Sequence, residues 1–367
     1  MSLDSGVKVG HETLRRQLRA IFDAWGMSPD QSEPTVDVMV ETDLRGIDSH
    51  GISMLASYDV HRRSGRLNLR PKQRLVRESA TTALVDADAG LGHPISVYGM
   101  GLAVEKALAA GVGVVTVRNS HHFGAAGIYA ESAARRGCIG LVTSTTRTLA
   151  MVPTRGADAV LGTNPIAFSA PARRNAPFLL DMATTTAAIG KVRIRRQRNQ
   201  PLPVGWVIDA KGRPVTDADA ATENLFGAAL QGGLTPLGAT YESGSHKGYG
   251  LAMMAQILSG VLAGGSFSPI RAKTQGPNEP DNIAHFFMAI DPRAFRPDTE
   301  FEDDLDRMTD ILHATRPADP GDPVLVAGDP ELAERERRLV DGIPLSEPLI
   351  DLVRTAARDC NAPFLLG

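Results

Sequence analysis

Between Thr82 and Pro292 the chain alternates short β-forming runs with helical stretches, and this alternation constrains the fold more than any other feature. The runs are TALVDAD, VGVVTVRN, CIGLVTS, AVLG, IAFSAP and FLLDMA, with HFFMAIDP much later. Helices fit between some of them, at residues 96–110 and 126–136. Short apolar runs bounded by turn residues and interleaved with helices predict an α/β domain. On both sides of this middle the apolar period becomes helical. Leu14, Leu18, Ile21, Phe22 and Trp25 fall on one helix face. Ser28-Pro29-Asp30-Gln31 then supplies an N-cap, a proline at the first helical position and a glutamine three residues after the cap. Val36, Met39, Val40 and Leu44 continue that helix, and Gly46 offers a left-handed stop. A third helix is expected from Ser49 to about Arg63. After Pro297, EFEDDLDRMTDILHA, ELAERERRLVDGI and EPLIDLVRTAARDC read as helices. The two ends together predict one helical domain, residues 1–72 with 295–367, around an α/β insert of residues 73–294.

Two stretches need separate readings. Residues 199–245 are dense in Pro and Gly, which predicts hairpins and ordered loops. The uncharged run from Gly248 to Gly265 is short for a membrane span and interrupted by Gln256 and Ser259, so a helix buried on most sides is expected. With 39 basic and 42 acidic residues the net charge is −3, which argues against a nucleic-acid or anionic-membrane partner. Cys138 and Cys360 are the only cysteines, too few for a disulfide framework. The N-terminus shows no apolar segment behind a basic start, so a cytoplasmic protein is expected.

Four motifs carry polar chemistry. In Asp48-Ser49-His50-Gly51, Ser49 as a helix cap would place His50 in the first turn. There the helix dipole lowers the imidazole pKa and suits acid–base work near neutrality; the plain alternative is an N-cap beside a surface histidine. Arg118-Asn119-Ser120-His121-His122-Phe123-Gly124 ends a strand before a helix, a common ligand position in α/β proteins. Adjacent histidines on an extended segment face opposite sides, so at most one of His121 and His122 faces a given site. Asp181 follows an apolar run and can either orient a histidine or cap the next segment. Ser245-His246-Lys247-Gly248-Tyr249-Gly250 opens the uncharged helix, where Lys247 can meet a phosphate or the glycines can merely allow close packing. No Walker A motif and no convincing GxGxxG are present, and the basic run KVRIRRQR from Lys191 reads as a solvated face.

RGIDSHGISML, VRNSHHFGAAGIYAE, LGTNPIAFSAP, LLDMATTTAAIGK, HKGYGLAMMAQILSGVLAGG and HFFMAIDP, in this order, resemble the malate/L-lactate dehydrogenase family. That group also includes ureidoglycolate, sulfolactate and 2,3-diketogulonate oxidoreductases and cyclic imino acid reductases. The resemblance runs from about Leu44 to Pro292, with a weaker echo in LVDGIPLSEPL. It implies a non-Rossmann, mixed-sheet NAD(P)-binding domain in place of the 73–294 insert, and hydride transfer at C2 of a small 2-hydroxy acid, 2-oxo acid or cyclic imino acid.

By the same resemblance His50 is proton donor or acceptor with Ser49 as relay, His122 shares the acid–base role, and Asp181 orients or contacts cofactor. The implied contacts to NAD or NADP are His122, Phe123, Gly124, Gly127, Thr146, Leu180, Asp181, Met182, Lys247, Asn282, Ile283 and Ala284. A carboxylate substrate, a homodimer and no metal complete the implied picture. One departure stands out: several family members place an arginine four residues after the histidine of SHG, where this chain has Met54. A thioether cannot hold a carboxylate, so Arg147 or Arg155 is a candidate replacement. A metal-dependent hydrolase built on His50, His121, His122 and Asp181 is the competing reading, although the ligand spacing is poor.

Overall fold

The computed structural model describes residues 6–227 and 231–366; the first five residues of the N-terminal stretch read above lie outside the described residues. The chain begins with β1 (Val7–Val9), α1 (His11–Ala24), α2 (Pro29–Leu44) and α3 (Leu55–Arg63). Its middle contains β2 (Arg74–Glu78), β3 (Thr82–Asp86), α4 (Gly92–Ala110), β4 (Val112–Ser120), α5 (Ala126–Ala134), β5 (Ile139–Ser144), β6 (Ile166–Ala170) and β7 (Phe178–Met182). There follow α6 (Ile189–Gln197), β8 (Val207–Ile208), α7 (Ala218–Phe226), β9 (Gly233–Leu234), α8 (Ser245–Ala255), α9 (Ser268–Thr274) and β10 (Ile283–Ile290). The chain closes with α10 (Glu300–His313), α11 (Asp329–Asp341), β11 (Ile343–Leu345) and α12 (Glu347–Asp359).

Seven strands form one mixed sheet in the order β2-β3-β4-β10-β5-β6-β7. Only β3 and β4 run parallel, joined through α4. Strand β10 reads IAHFFMAI and is buried along most of its length, which suits a central strand covered on both faces. It pairs antiparallel with β4 on one side and β5 on the other. Ser120, Ser144 and Ile283 therefore meet at one edge of the sheet, and the loops that follow β4 and β5 gather there. Helices α4 and α5 press on the sheet so closely that glycine is required beneath them. A Cβ at Gly113 would lie 2.0 Å from the Ala103 carbonyl oxygen, and one at Gly140 would lie 2.5 Å from that of Ala130. This is a mixed α/β architecture without a Rossmann sheet, as the sequence implies.

A second core joins the two ends of the chain. Leu14, Leu18, Ile21, Phe22, Met39 and Val40 pack with Ile343, Leu345, Ile350 and Val353. Strand β1 pairs with β11, Val7 opposite Leu345 and Val9 opposite Ile343. The N-cap of α2 falls on Ser28 with Pro29 in the first turn, although Ser28 makes no side-chain cap bond.

Of three local expectations, two differ from the structure and one, the solvated basic run, agrees with it. AVLG adds no strand to the sheet; Leu161 only bridges Met151. The basic run is helix α6, whose Val192 is buried with Leu202, Val207, Ala221 and Leu225 while Lys191, Arg193 and Arg196 face solvent. The uncharged segment is helical but not buried on most sides. Its small residues Ala252, Ala255, Ser259 and Gly260 face inward, whereas Met253, Met254, Ile257, Val261 and Leu262 are 37–71% exposed. Polar ties explain its inward face: Asn164 Nδ2 donates to the Ala252 carbonyl at 3.1 Å, and the Thr143 and Ser259 hydroxyls bond at 2.6 Å. The helix widens into a π turn over Gln256–Val261. Among the described residues no helix is long and apolar enough to cross a membrane.

Leu18 is fully buried where the two chain ends meet. Leu18→Ala is expected to cost about 2–5 kcal/mol, read as a lower denaturation midpoint at unchanged m-value. A loss under about 1 kcal/mol would show that this core repacks freely.

Candidate active site

Helix α2 stops at Leu44, and Gly46 takes the left-handed conformation (φ 76°) that turns the chain. Ser49 does not cap the third helix, contrary to expectation. Residues Ile52–Met54 form a 3-10 turn, and α3 begins only at Leu55. The reason is Asp43, whose buried carboxylate accepts the Ile52 N–H at 2.8 Å and so takes the capping role. Burial raises the Asp43 pKa well above the ordinary value. The same carboxylate would lie 1.9 Å from a Cβ on Gly51, so the position after His50 must be glycine. Arg338 of α11, 3% exposed, holds the loop from the other side. It donates to the Asp43 carbonyl at 2.6 Å and to both carboxylate oxygens of Asp48.

Ser49 is free instead to place its exposed hydroxyl 2.7 Å from His50 Nδ1. His50 is half-buried at the cleft, and desolvation rather than a helix end lowers its pKa from 6.5.

The His50 ring lies 5.3 Å from that of His122. His122 Nδ1 faces the Tyr58 hydroxyl at 2.7 Å and the Gly124 N–H at 3.3 Å. An amide N–H can only donate, so Nδ1 is the acceptor, Tyr58 donates to it, and the neutral ring carries its proton on Nε2. The Tyr58 oxygen also lies 3.4 Å from Nε2 of His93, a fully buried imidazole whose pKa burial lowers to about 3. His122 is held well below 6.5, first by burial and then by the neighbouring His50. The sequence reading missed Tyr58 and His93. Tyr58 lies eight residues beyond His50, and His93 sits in GLGHPIS, noticed there only for its glycines.

Asp181 does not join these histidines. It accepts the Gly127 N–H at 2.6 Å, at the start of α5, where a Cβ on Gly127 would lie 2.9 Å from it. The residue is exposed, and its carboxylate lines a cavity of about 330 Å³. Desolvation of the carboxylate at that cavity raises its pKa to about 6, outweighing the Gly127 bond. Leu180 and Gly127 share this cavity with Leu325, Val326, Ala327 and Gly328, a segment the sequence reading did not include. Asn282, Ile283 and Ala284 do not reach it. Asn282 Oδ1 accepts the Asn119 N–H at 2.7 Å, and Ile283 and Ala284 are buried at the start of β10.

Phe123 is buried and stacked on His285 at 4.5 Å, and Gly124 (φ 77°) lies against His93. Met182 ends β7, and Lys247 stands exposed in the first turn of α8. Thr146 Oγ1 and Asn164 Oδ1 are buried without hydrogen-bond partners, and both approach Gly162, where a Cβ would lie 1.5 Å and 3.1 Å from them.

His121 faces away from His122, as adjacent strand residues should, and bonds the Arg66 carbonyl at 2.9 Å. The four residues of the hydrolase reading are therefore not gathered: His121 and Asp181 each lie apart from the His50 and His122 pair. The mixed α/β scaffold thus brings two desolvated imidazoles, His50 and His122, together, and the cavity beside Asp181 is lined by other residues.

The model of the malate/L-lactate dehydrogenase family matches residues 9–354. A malate dehydrogenase from Pyrococcus abyssi is 39% identical over 96% of this chain and 94% of its own length. An L-sulfolactate dehydrogenase from Methanothermobacter thermautotrophicus is 33% identical over 97% and 98% of the two chains. The solved structure of malate dehydrogenase from Pyrococcus horikoshii superposes with a TM-score of 0.86 at 35% identity, covering 98% of this chain and 97% of that one. The chain belongs to the malate/L-lactate dehydrogenase family and is an oxidoreductase of hydroxy acids.

Tyr58→Phe removes the stronger donor to His122 Nδ1. It is expected to lower kcat/KM by about 5- to 100-fold, the equivalent of about 1–3 kcal/mol, with cofactor affinity little changed. An unchanged kcat/KM would take Tyr58 out of the catalytic arrangement.

Proposed function

We propose that the protein is an NAD(P)-dependent oxidoreductase acting at C2 of a small 2-hydroxy or 2-oxo acid, or of a cyclic imino acid, with His50 as proton donor and acceptor. The observation that carries this reading is the pair of desolvated imidazoles 5.3 Å apart, with the loop bearing His50 clamped by Asp43 and Arg338. Bound nicotinamide would supply or accept the hydride. The residues present fit such a group: the orphaned Thr146 and Asn164 oxygens suit an amide donor, and the cavity over Gly127, Leu180 and Asp181 suits the rest of a dinucleotide. Lys247 and the loop from His122 to Gly127 are the further contacts in this reading, Lys247 as a charge partner for phosphate.

His50 then takes the hydroxyl proton as the carbonyl forms, Ser49 bonding its other ring nitrogen. In the reverse direction protonated His50 donates to the oxygen that gains negative charge. His122, fixed as the Nε2–H form by Tyr58 and Gly124, is a donor toward the cleft that can hold the substrate oxygen. Met54 packs against the helical core and takes no part. Arg155 stacks over Tyr241 at 3.9 Å, whereas Arg147 stands exposed with its Nε 3.0 Å from Asp281. That contrast supports Arg147 as the cation for the substrate carboxylate. A cytoplasmic homodimer is the corresponding assembly, and the exposed stripe from Met253 to Leu262 supports it.

The direct test is oxidation of NADH and NADPH with a panel of 2-oxo acids and cyclic imino acids; no turnover and no binding of either cofactor by folded protein overturns the reading. His50→Ala is expected to abolish turnover and leave cofactor affinity mostly intact, while wild-type turnover would move the acid–base role to His122. The pH profile has a definite sign. Because burial lowers the His50 pKa, the neutral base persists below pH 6.5. For hydroxy acid oxidation, kcat/KM should be flat at pH 7 and fall on an acid limb whose midpoint lies below 6.5. A midpoint above 6.5 in the free enzyme would contradict a desolvated His50 as the base.

A further inference from the structure

Behind the catalytic pair, His61, His121 and Asp281 present three donor atoms that lie within 4.8 Å of one another. They come from separate parts of the fold: the last turn of α3, the loop after β4, and the segment entering β10. His121 and Asp281 are each 1% exposed, while His61, its ring 5.7 Å from that of His121, is half-buried and open to approach.

In both buried members one atom is tied to protein and the other is left free. His121 Nε2 lies 2.9 Å from the Arg66 carbonyl, which can only accept, so Nε2 bears the hydrogen. Asp281 Oδ1 takes Arg147 Nε at 3.0 Å, Gln275 Nε2 at 3.1 Å and Arg66 Nη1 at 3.7 Å. The remaining atoms, His121 Nδ1 and Asp281 Oδ2, stand 3.6 Å apart with no hydrogen-bond partner and no access to water. In the neutral form of His121 both aim lone pairs at the same space, an arrangement that costs free energy unless positive charge lies between them. Metal sites hold their ligands in this manner, the outer atom of each imidazole or carboxylate bonded to protein and the inner one aimed at the ion.

We propose that His61, His121 and Asp281 bind one divalent transition ion of the zinc class. Two imidazoles and one carboxylate suit Zn²⁺, Co²⁺ or Ni²⁺, whereas Ca²⁺ and Mg²⁺ call for six or more oxygen ligands. At metal–ligand distances of about 2.0–2.1 Å the three donors must draw together, and the half-buried His61 is the one with room to turn. Arg66, Arg147 and Arg271 surround Asp281 with positive charge. That field opposes a cation, and it selects for ions that bond strongly to imidazole over ions held by charge alone.

The ion is a staple and takes no part in hydride transfer. His61 is one helical turn beyond Tyr58, and His121 precedes His122, so a bond between them fixes the spacing of the Tyr58 to His122 contact.

The full-length protein, stripped with EDTA and dialysed, is titrated with ZnCl2 and with CoCl2 near pH 7.5. One equivalent should bind per chain, raise Tm by several degrees, and give cobalt the absorption bands of a four-coordinate site. Asp281→Asn and His61→Ala should each weaken binding at least tenfold, and His313→Ala, which alters the exposed His313 and Asp329 pair, should leave it unchanged. His61 is half-buried, so its variant keeps the test valid if Asp281→Asn fails to fold. The proposal is overturned if wild-type protein shows no saturable binding, or if binding survives His61→Ala. It is also overturned if nitrogen NMR of zinc-treated protein finds His121 protonated on both ring nitrogens, since a proton then occupies the space between Nδ1 and Asp281.

Discussion

Because β10 runs antiparallel between β4 and β5, three distant parts of the chain share one edge of the sheet. Ser120 pairs with Ile283, and His285 lies opposite Ser144. Everything chemical near that edge follows from this pairing: the His121 and His122 loop leaves β4 there, Thr146 and Arg147 leave β5 there, and Asp281 enters β10 there. His285 pins the edge from within, its ring stacked on Phe123 and its two nitrogens on the hydroxyls of Ser144 at 2.8 Å and Ser120 at 3.0 Å. A strand slip of one residue would turn His285 to the opposite face of the sheet and Phe286 into its place.

Desolvation, more than any ion pair, sets the chemistry of the cleft. His50, His93, His122 and His285 all have pKa values lowered with burial as the leading cause. None of the four has a carboxylate hydrogen-bonded to it, so nothing offsets the cost of charging a ring out of water. Burial therefore favours the neutral form of all four rings. That suits a reaction in which one proton leaves or reaches the substrate oxygen with each hydride. It also explains why Asp181 sits elsewhere. A carboxylate beside His50 would stabilise the imidazolium and raise its pKa, whereas one at the start of α5 completes the helix and lines the cavity.

The parts of this molecule legible in its sequence are those decided by local pattern. Apolar runs marked β3, β4, β5, β6, β7 and β10, and helical periodicity marked α1, α2, α10, α11 and α12, because each of these buries a regular face. AVLG has the composition of a strand but ends in a bridge, since Leu161 meets only Met151, which is itself bridged to Leu234, a pairing that no local pattern reports. The helix cap at Ser49 failed for the same reason. Asp43, six residues earlier and on another helix, takes the N–H that Ser49 was expected to satisfy. The motif histidines were legible because polar residues at strand ends are few. Tyr58 was not, because a tyrosine on an apolar helix face looks like any core residue until its hydroxyl is seen to meet His122.

The helical shell also holds the loop that carries His50. Arg338, near the C-terminus, is buried among Asp43, Asp48 and Glu334, and its bonds end on the loop that carries His50. A buried guanidinium is tolerated only while its partners stay in place. The loop position and the seating of α11 are consequently one equilibrium. Helix α11 is followed by β11, which pairs with β1, so that equilibrium extends to the packing of the two chain ends. The same α11 segment begins beside the Leu325–Gly328 stretch that closes the cavity over Asp181. One C-terminal helix thus touches the loop of His50 at one end and the cavity wall at the other. Any shift of α11 is therefore carried by Arg338 to the loop of His50.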